Sequence, residues 1–490
     1  KTHLAKPSSG IDTFNPRMEN RSATQAVHMR TIGTALAHQL GIAWMDLWGE
    51  GWLDSDDIWK TPGWFCDTAS RQIKVRRRVS PQVVALLDEA SLCHFNGGEG
   101  LMQRILEADR DSLCRCGATV GVYLQSDVTH RDFPTDARLY LFLNPYRLPE
   151  DQREAIRDKL CGGGRTLAWF YTAGTLTDRS ALEEPTPDVV GLNLRPQPWN
   201  SEIGTHIVEP GHAIVQNLPG NQLGTRMRLN PSYYVDDDSP GITVLGEYEQ
   251  SGLPSLVARS YNGGTSVFCG EPILTPDLLR GLCRHAGVHL YTRQPEDYVQ
   301  AGYGWLSMHV LRDGYRTLTL PEGTVACDVE DGVASPAGSR EYRRPVRARQ
   351  TYLFYLGSPD AARRLGLEMR KPPAPSPQPS MPPPPPLPFV ETAEGEGHEP
   401  EPGEVIAGGS VEAERTAVGE EPSIETPLAQ EGEVAEMEEA ETGEETDLQT
   451  SAASKRRRRR GGRGRGRRRK PAASTDGDAG EPEPPSGAEA

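Results

Sequence analysis

The sequence predicts an α/β fold, a parallel sheet covered by helices on both faces, followed by a small antiparallel β-domain and a long tail without a core. Three observations carry this reading. Apolar segments at 83–87, 118–124, 138–144 and 165–172 lack strict alternation and are separated by helical stretches, the pattern of strands buried on both faces. Between 298 and 357 the style changes to short alternating runs divided by Asp-Gly, Glu-Gly and Pro turns, which marks antiparallel strands. Beyond 370 the composition cannot support a core. Residues 371–390 hold 11 prolines in 20 positions, 391–450 hold 20 acids and one Arg, and 455–470 hold 12 Lys or Arg in 16.

The chain has 490 residues, enough for about three domains at roughly 150 residues each. Of the formal charge of −16, residues 371–490 carry −11, so 1–370 are only mildly acidic at −5. That balance excludes neither an enzyme nor a binding module. No apolar run reaches the ~18–20 residues of a membrane span, so no transmembrane helix and no membrane partner are expected. The first residue is Lys, and the true start is expected to lie upstream.

Taken in order, residues 22–40 read as a helix with Ser22 as N-cap and Ala26, Met29, Ile32, Gly33, Leu36 and Leu40 near one face. Gly41 closes it, and residues 42–48 read as a short apolar strand. A lone helix and strand bury no core, so this segment needs further strands or a neighbouring domain. A loop and a helix leading out of the unit fill 49–80. The α/β alternation then runs over 81–291. Its strands are 83–87, 118–124, 138–144, 165–172, 243–248, 255–260 and 265–270, and its helices are 98–115, one opened by Pro149-Glu150, and 274–287. The β-domain occupies 292–358. A short helical stretch opens 359–490, and beyond it a polyproline II spacer leads into a disordered tail.

The stretch Trp44-Met-Asp46-Leu-Trp48-Gly-Glu50-Gly-Trp52 looks most functional. Three tryptophans and two acids broken by glycines can wall a sugar cleft, because aromatic faces stack on C–H surfaces while carboxylates accept hydroxyl protons. The same residues equally suit a core Trp44 with loop aromatics capping a sheet.

These residues also carry a resemblance. Lys1-Thr-His-Leu, Leu36 to Leu40 and GIAWMDLWGEGWLDSDDIW (41–59) are similar to the end of the (β/α)₈ barrel in bacterial glycoside hydrolases related to family 42 β-galactosidases. VVALLDEASL (83–92), RLYLFLN (138–144), GRTLAWFYTAG (164–174), YVDD (234–237) and AGVHLY (286–291) follow in the order of that family's next domain. The resemblance covers about residues 1–357. It implies a barrel remnant over 1–80, a Rossmann-like trimerisation domain resembling class I glutamine amidotransferases over 81–291, and a β-sandwich-like domain after it. It also implies a retaining mechanism with two carboxylates about 5–5.5 Å apart on barrel strands 4 and 7, both upstream of Lys1. Only strand 8 of the barrel then remains in the chain. Asp46, Trp48 and Trp52 become rim residues that contact a carbohydrate substrate held by the parent barrel, and the chain is expected to form a homo-oligomer. Glu50 departs from the glycine-rich version of this loop, and Lys1 stands where the family often has Arg.

No catalytic residue is assigned within the chain. A glutaminase needs a Cys on a tight strand–helix elbow, but the elbow position Phe170-Tyr-Thr-Ala-Gly174 has none. Cys161 serves as a helix end, and His285 and His289 as packing or surface residues. The eight cysteines are scattered, and Cys114-Arg-Cys116 is too tight for a metal knuckle, so no metal and no cofactor are expected. Reduced thiols fit a cytoplasmic protein. Finally, Arg456, Arg457, Arg458, Arg459, Arg460, Arg463, Arg465, Arg467, Arg468 and Arg469 form a flexible cationic run without aromatics. Such a run can bind RNA or another polyanion without reading sequence, or stand as a solvated tail neutralised by the acids upstream. A non-enzymatic assembly module carrying this basic tail is the alternative to the hydrolase reading.

Overall fold

The computed structural model describes residues 2–5, 18–46, 49–75, 80–94, 101–177, 188–197, 201–224 and 226–370. Helix α1 spans Arg21–His38, capped by the Asn20 side chain, which accepts from the Ala23 N–H at 3.0 Å. The cap therefore precedes the expected Ser22. The far end is closed by Gln39 at φ 54° rather than by Gly41. Residues 42–46 form no strand, because no neighbouring strand pairs with them among the described residues. Helix α2 spans Asp56–Gln72.

The α/β domain follows. Its first strands are β1 (Val83–Leu87), β2 (Val120–Leu124), β3 (Leu139–Phe142) and β4 (Thr166–Phe170). Helices α3 (Glu89–Leu92), α4 (Leu101–Cys114) and α5 (Glu150–Lys159) lie between them. Short strands β5 (Leu194–Pro196), β6 (Ser201–Glu202), β7 (Thr205–Ile207), β8 (Gln222–Leu223), β9 (Arg228–Leu229) and β10 (Tyr233–Val235) come next. The long strands β11 (Ile242–Tyr248), β12 (Pro254–Tyr261) and β13 (Gly264–Cys269) lead into α6 (Pro276–His285).

Nine strands form one sheet in the order β2-β1-β3-β4-β13-β12-β11-β7-β8. Strands β2, β1, β3, β4 and β13 are mutually parallel. From β13 outward every pairing is antiparallel, so the sheet is mixed rather than mainly parallel. The reason is connection length. A parallel crossover needs a dozen or more residues, yet only Asn262-Gly263 join β12 to β13. Both residues have positive φ, 50° and 73°, as a two-residue hairpin turn requires.

Side chains alternate between two cores. Val83, Ala85, Leu139, Leu141, Ala168 and Val267 face Leu278, Leu279 and Leu282 of α6. Val84, Leu86, Tyr140, Phe142, Trp169 and Phe268 face Ile156 of α5 and the irregular 189–235 region. Phe142 and Trp169 stack at 4.0 Å, and the Trp169 indole donates to Ser266 Oγ at 3.1 Å. The buried ring thus has no unmade hydrogen bond.

The β-domain consists of β14 (Tyr298–Gly302), β15 (Trp305–His309), β16 (Gly314–Thr319), β17 (Ala326–Asp328), β18 (Val333–Ala334), β19 (Glu341–Val346) and β20 (Thr351–Leu356), then helix α7 (Pro359–Arg364). All its strand-to-strand ladders are antiparallel: a sheet β14-β15-β20-β17-β18 and a separate ribbon β16-β19, with one isolated parallel bridge from Val333 to Arg370. Leu306, Met308, Phe354 and Leu356 bury against Leu318 and Val346 of the ribbon. The other face, with Trp305, Leu353 and Tyr355, packs on Ile32 and Leu36 of α1, Phe65 of α2 and Leu365 beyond α7. The N-terminal helices therefore find their core on the last domain. Gly33 lets them approach, because a Cβ there would overlap the Ser307 side chain. Gln72 links the layers, donating to Leu36 O at 3.2 Å and accepting from the Trp305 indole at 2.9 Å. Among the described residues, no helix is long and apolar enough to cross a membrane.

Candidate functional site

The tryptophan-rich loop is organised by Asp46. Its Oδ1 accepts from the Glu50 N–H at 3.1 Å, and its Oδ2 accepts from Gly51 and Trp52 at 2.7 and 3.0 Å. Gly49 and Gly51, at φ 65° and 80°, turn the chain so that these donors converge. Trp52 is buried, its indole donating to Glu50 Oε2 at 3.3 Å and its carbonyl accepting from the Thr2 hydroxyl. Trp44 is half-buried, edge-on to Phe65 and His28 at 6.0 and 6.3 Å. Burial holds the His28 imidazole below its ordinary pKa, and so neutral. A carboxylate offers about four lone-pair sites, so three N–H donors leave Asp46 room for one more, on Oδ1. Trp48 lies outside the described residues, as do the ten arginines at 456–469.

A second candidate lies at the carboxyl end of β4. Tyr171 follows the strand with φ 65°, and the Thr172 N–H donates back to Phe170 O at 2.8 Å, closing a γ-turn of the rarer hand. A bulky residue at positive φ is an outlier that the surroundings must hold. Here the Tyr171 N–H donates to Cys269 O at 2.7 Å and its hydroxyl donates to Pro231 O. The nucleophile elbow of α/β enzymes is also a strained turn at a strand end, but residues 171–177 here form no helix and the turn carries a tyrosine. Burial pushes that phenol well above its ordinary pKa, so it stays protonated. His285 and His289 cannot serve the elbow. His285 hydrogen-bonds Thr265, whose register partner is Thr166, at the opposite end of the strands. His289 bonds Thr319 O at 2.9 Å. Cys161 is half-buried with its thiol pKa raised by burial, consistent with an inert helix end.

The strand order reverses at β1, between β2 and β3, where open α/β sheets usually bind ligands. The polar groups there are committed to one another. Asp88 caps α3 by accepting from the Ser91 N–H and hydroxyl, and Asn144 exchanges two 2.8 Å bonds with the Asp88 backbone.

A third feature is an apolar cavity of about 670 Å³ between α4, the ends of β1 and β3, and Gln300. Asp109 lies on its wall, only 2% exposed. Oδ1 accepts from the Leu274 N–H at 2.9 Å, Oδ2 has no partner among the described residues, and burial pushes the carboxyl up to about 7. Glu107 also lines this cavity, but residues two apart on a helix do not face each other, so the two carboxylates make no catalytic pair. Cys116 and Cys283 are buried with their sulfurs 3.5 Å apart, and among the described residues no group of three or more His, Cys, Asp or Glu could hold a metal.

Comparison with known proteins returned no matching family and no matching curated protein. Solved structures do match. The β-galactosidase of Bacillus circulans sp. alkalophilus aligns at 13% identity and TM-score 0.44, covering 62% of this chain and 46% of that one. A family 42 β-galactosidase from G. stearothermophilus aligns at 14% identity and TM-score 0.42, covering 61% and 43%. α-L-Fucosidase isoenzyme 2 from Paenibacillus thiaminolyticus aligns at 12% and 0.44, covering 68% and 57%. The chain spans less than half the length of both β-galactosidases.

Proposed function

We propose that the chain supplies the C-terminal part of a glycoside hydrolase similar to the family 42 β-galactosidases, with both catalytic carboxylates on an upstream barrel. The reading is supported first by the ordered run of motifs from Lys1-Thr-His-Leu to Ala286-Gly-Val-His-Leu-Tyr. The observation that carries it is the loop 46–52. Asp46 spends three charge-assisted hydrogen bonds on fixing the turn Glu50–Trp52, which ends in buried Trp52. A loop so fixed is pre-organised, as a wall for a sugar has to be. Asp46 and Trp52 act in this reading by setting the rim, with the remaining Oδ1 lone pair offered to a carbohydrate, and Trp48 is the third residue proposed to contact it. The parent would cleave a β-linked sugar by the two-carboxylate route. The α/β domain, whose elbow carries Tyr171 and no cysteine, would serve assembly in a homo-oligomer rather than chemistry.

Extending the reading frame upstream tests the proposal. The expected result is a barrel with two carboxylates at the ends of strands 4 and 7. An upstream region lacking either the barrel or those carboxylates would sink the hydrolase reading and favour the non-enzymatic assembly module.

A further inference from the structure

The elbow at the end of β4 opens into a cavity of about 380 Å³ that the proposed hydrolase function does not use. That volume is near the small end of ligand pockets, about 300–1,000 Å³. It sits at the carboxyl ends of the parallel strands, where α/β sheets bind small molecules. Three tyrosine rings wall it in a row. Tyr171 stands edge-on to Tyr146 at 5.5 Å and to Tyr233 at 5.7 Å. The Tyr171 hydroxyl donates to Pro231 O, and Tyr233 hydrogen-bonds the Thr175 side chain.

Thr172 also lines the cavity and is different. It is 2% exposed, and its hydroxyl has no hydrogen-bond partner among the described residues. Ser232, fully buried between two lining residues, likewise has a hydroxyl with no partner among the described residues. Buried hydroxyls are nearly always paired, so each unpaired one asks for an explanation. The backbone strain at Tyr171 turns Thr172 onto this wall, and strain of this kind clusters where a fold holds a ligand. Charge then selects the ligand. No carboxylate lines the cavity among the described residues. Its basic side chains, Arg228 and His94, are exposed, and Arg228 has the Glu202 carboxylate at 3.8 Å. A charged ligand would find no counter-charge in the buried half. An uncharged ring with hydroxyls on its edge and C–H groups on its faces finds both aromatic surface and a free hydroxyl.

We infer that this cavity is a non-catalytic binding site for a small uncharged polyhydroxylated ligand of monosaccharide size. The site lies wholly within the chain, so it does not depend on the hydrolase reading. The test titrates the full chain with D-galactose, D-glucose, inorganic phosphate and choline, using saturation-transfer NMR and calorimetry. At least one sugar should bind in the millimolar range, while phosphate and choline should not. Thr172→Val should weaken sugar binding about tenfold, Thr172→Ser should restore it, and Arg228→Ala should leave it within twofold. Amide exchange of the wild-type chain should slow at 171–176 and 230–233 when the sugar is bound, which locates the site even if the valine variant misfolds. Binding of neither sugar, binding of phosphate or choline instead, equal affinity in a folded Thr172→Val chain, or protection elsewhere would each overturn the inference.

Discussion

Asp46 receives three backbone N–H donors, so its removal leaves the 46–52 turn without an organiser. Hydrogen bonds to a charged group contribute about 1.5–3 kcal/mol each before relaxation, and the half-buried loop recovers part of that from water. Asp46→Ala should therefore lower stability by about 1.5–3 kcal/mol, read as a fall in the midpoint of thermal or urea unfolding. An unchanged midpoint would mean the carboxylate is not what holds the loop. Asp109 acts in the opposite sense. Its carboxyl titrates near 7 when folded against 3.8 when unfolded, so between these values the folded state holds the extra proton. Stability falls as pH rises through this window, by about 1.4 kcal/mol per unit, and stays reduced above 7. Asp109→Asn removes the penalty. Its melting temperature should exceed the wild type at pH 8, with the gap narrowing below pH 7 and closing near pH 4. A gap independent of pH would refute the assignment. The sequence makes Asp46 legible as part of a tryptophan-rich turn, and gives no sign of Asp109. A polar residue on α4 reads as solvated, and it is buried because the Leu274 N–H, 165 positions away, needs an acceptor. Tyr171 is equally hidden, since nothing in Phe-Tyr-Thr marks positive φ.

Among the elements, the parallel strands β1, β3 and β4 are readable because both faces are buried and nearly every position is apolar, whereas β2 is an edge strand whose Val122 and Leu124 are exposed. The antiparallel half is hidden behind the same apolarity, although Asn262-Gly263 between two strand-like runs is a hairpin signal. Connection length, not composition, distinguishes the two halves. The segment 42–46 misleads in the other direction: it has a strand's composition but no strand beside it, and hydrogen-bond partners rather than propensity make a strand. Helix α1 shows what sequence periodicity can and cannot give. Ile32, Gly33 and Leu36 mark a buried face correctly, while its partner, a sheet almost 270 residues later, is a long-range fact. Gly33→Val should expose that packing, because the added carbons meet Ser307. Overpacking typically costs about 1–3 kcal/mol, so the variant should unfold at lower urea, with the loss of α1 protection in amide exchange preceding that of β4. Wild-type stability would show that α1 does not depend on close approach to β15.

At the scale of the whole molecule, the tail and the missing chemistry decide what the protein is. If residues 455–470 bind RNA, log affinity should fall with log salt by about 0.7 per phosphate contacted. Deleting 391–450 should tighten that binding by removing competing carboxylates, most visibly at low ionic strength. Deleting 455–470 should abolish it. Labelled RNA titrated against the three chains at two salt concentrations decides between a partner site and a solvated tail, the latter giving negligible binding throughout. The hydrolase reading is tested most directly by kinetics of the complete parent protein on an aryl β-galactoside, beside the chain 1–490 alone. Turnover is expected from the parent and none from the chain alone, with a loss of about 10–150-fold in kcat/KM for Asp46→Ala in the parent. Turnover by the isolated chain, or a folded parent with its barrel that cleaves no glycoside, would contradict the hydrolase reading.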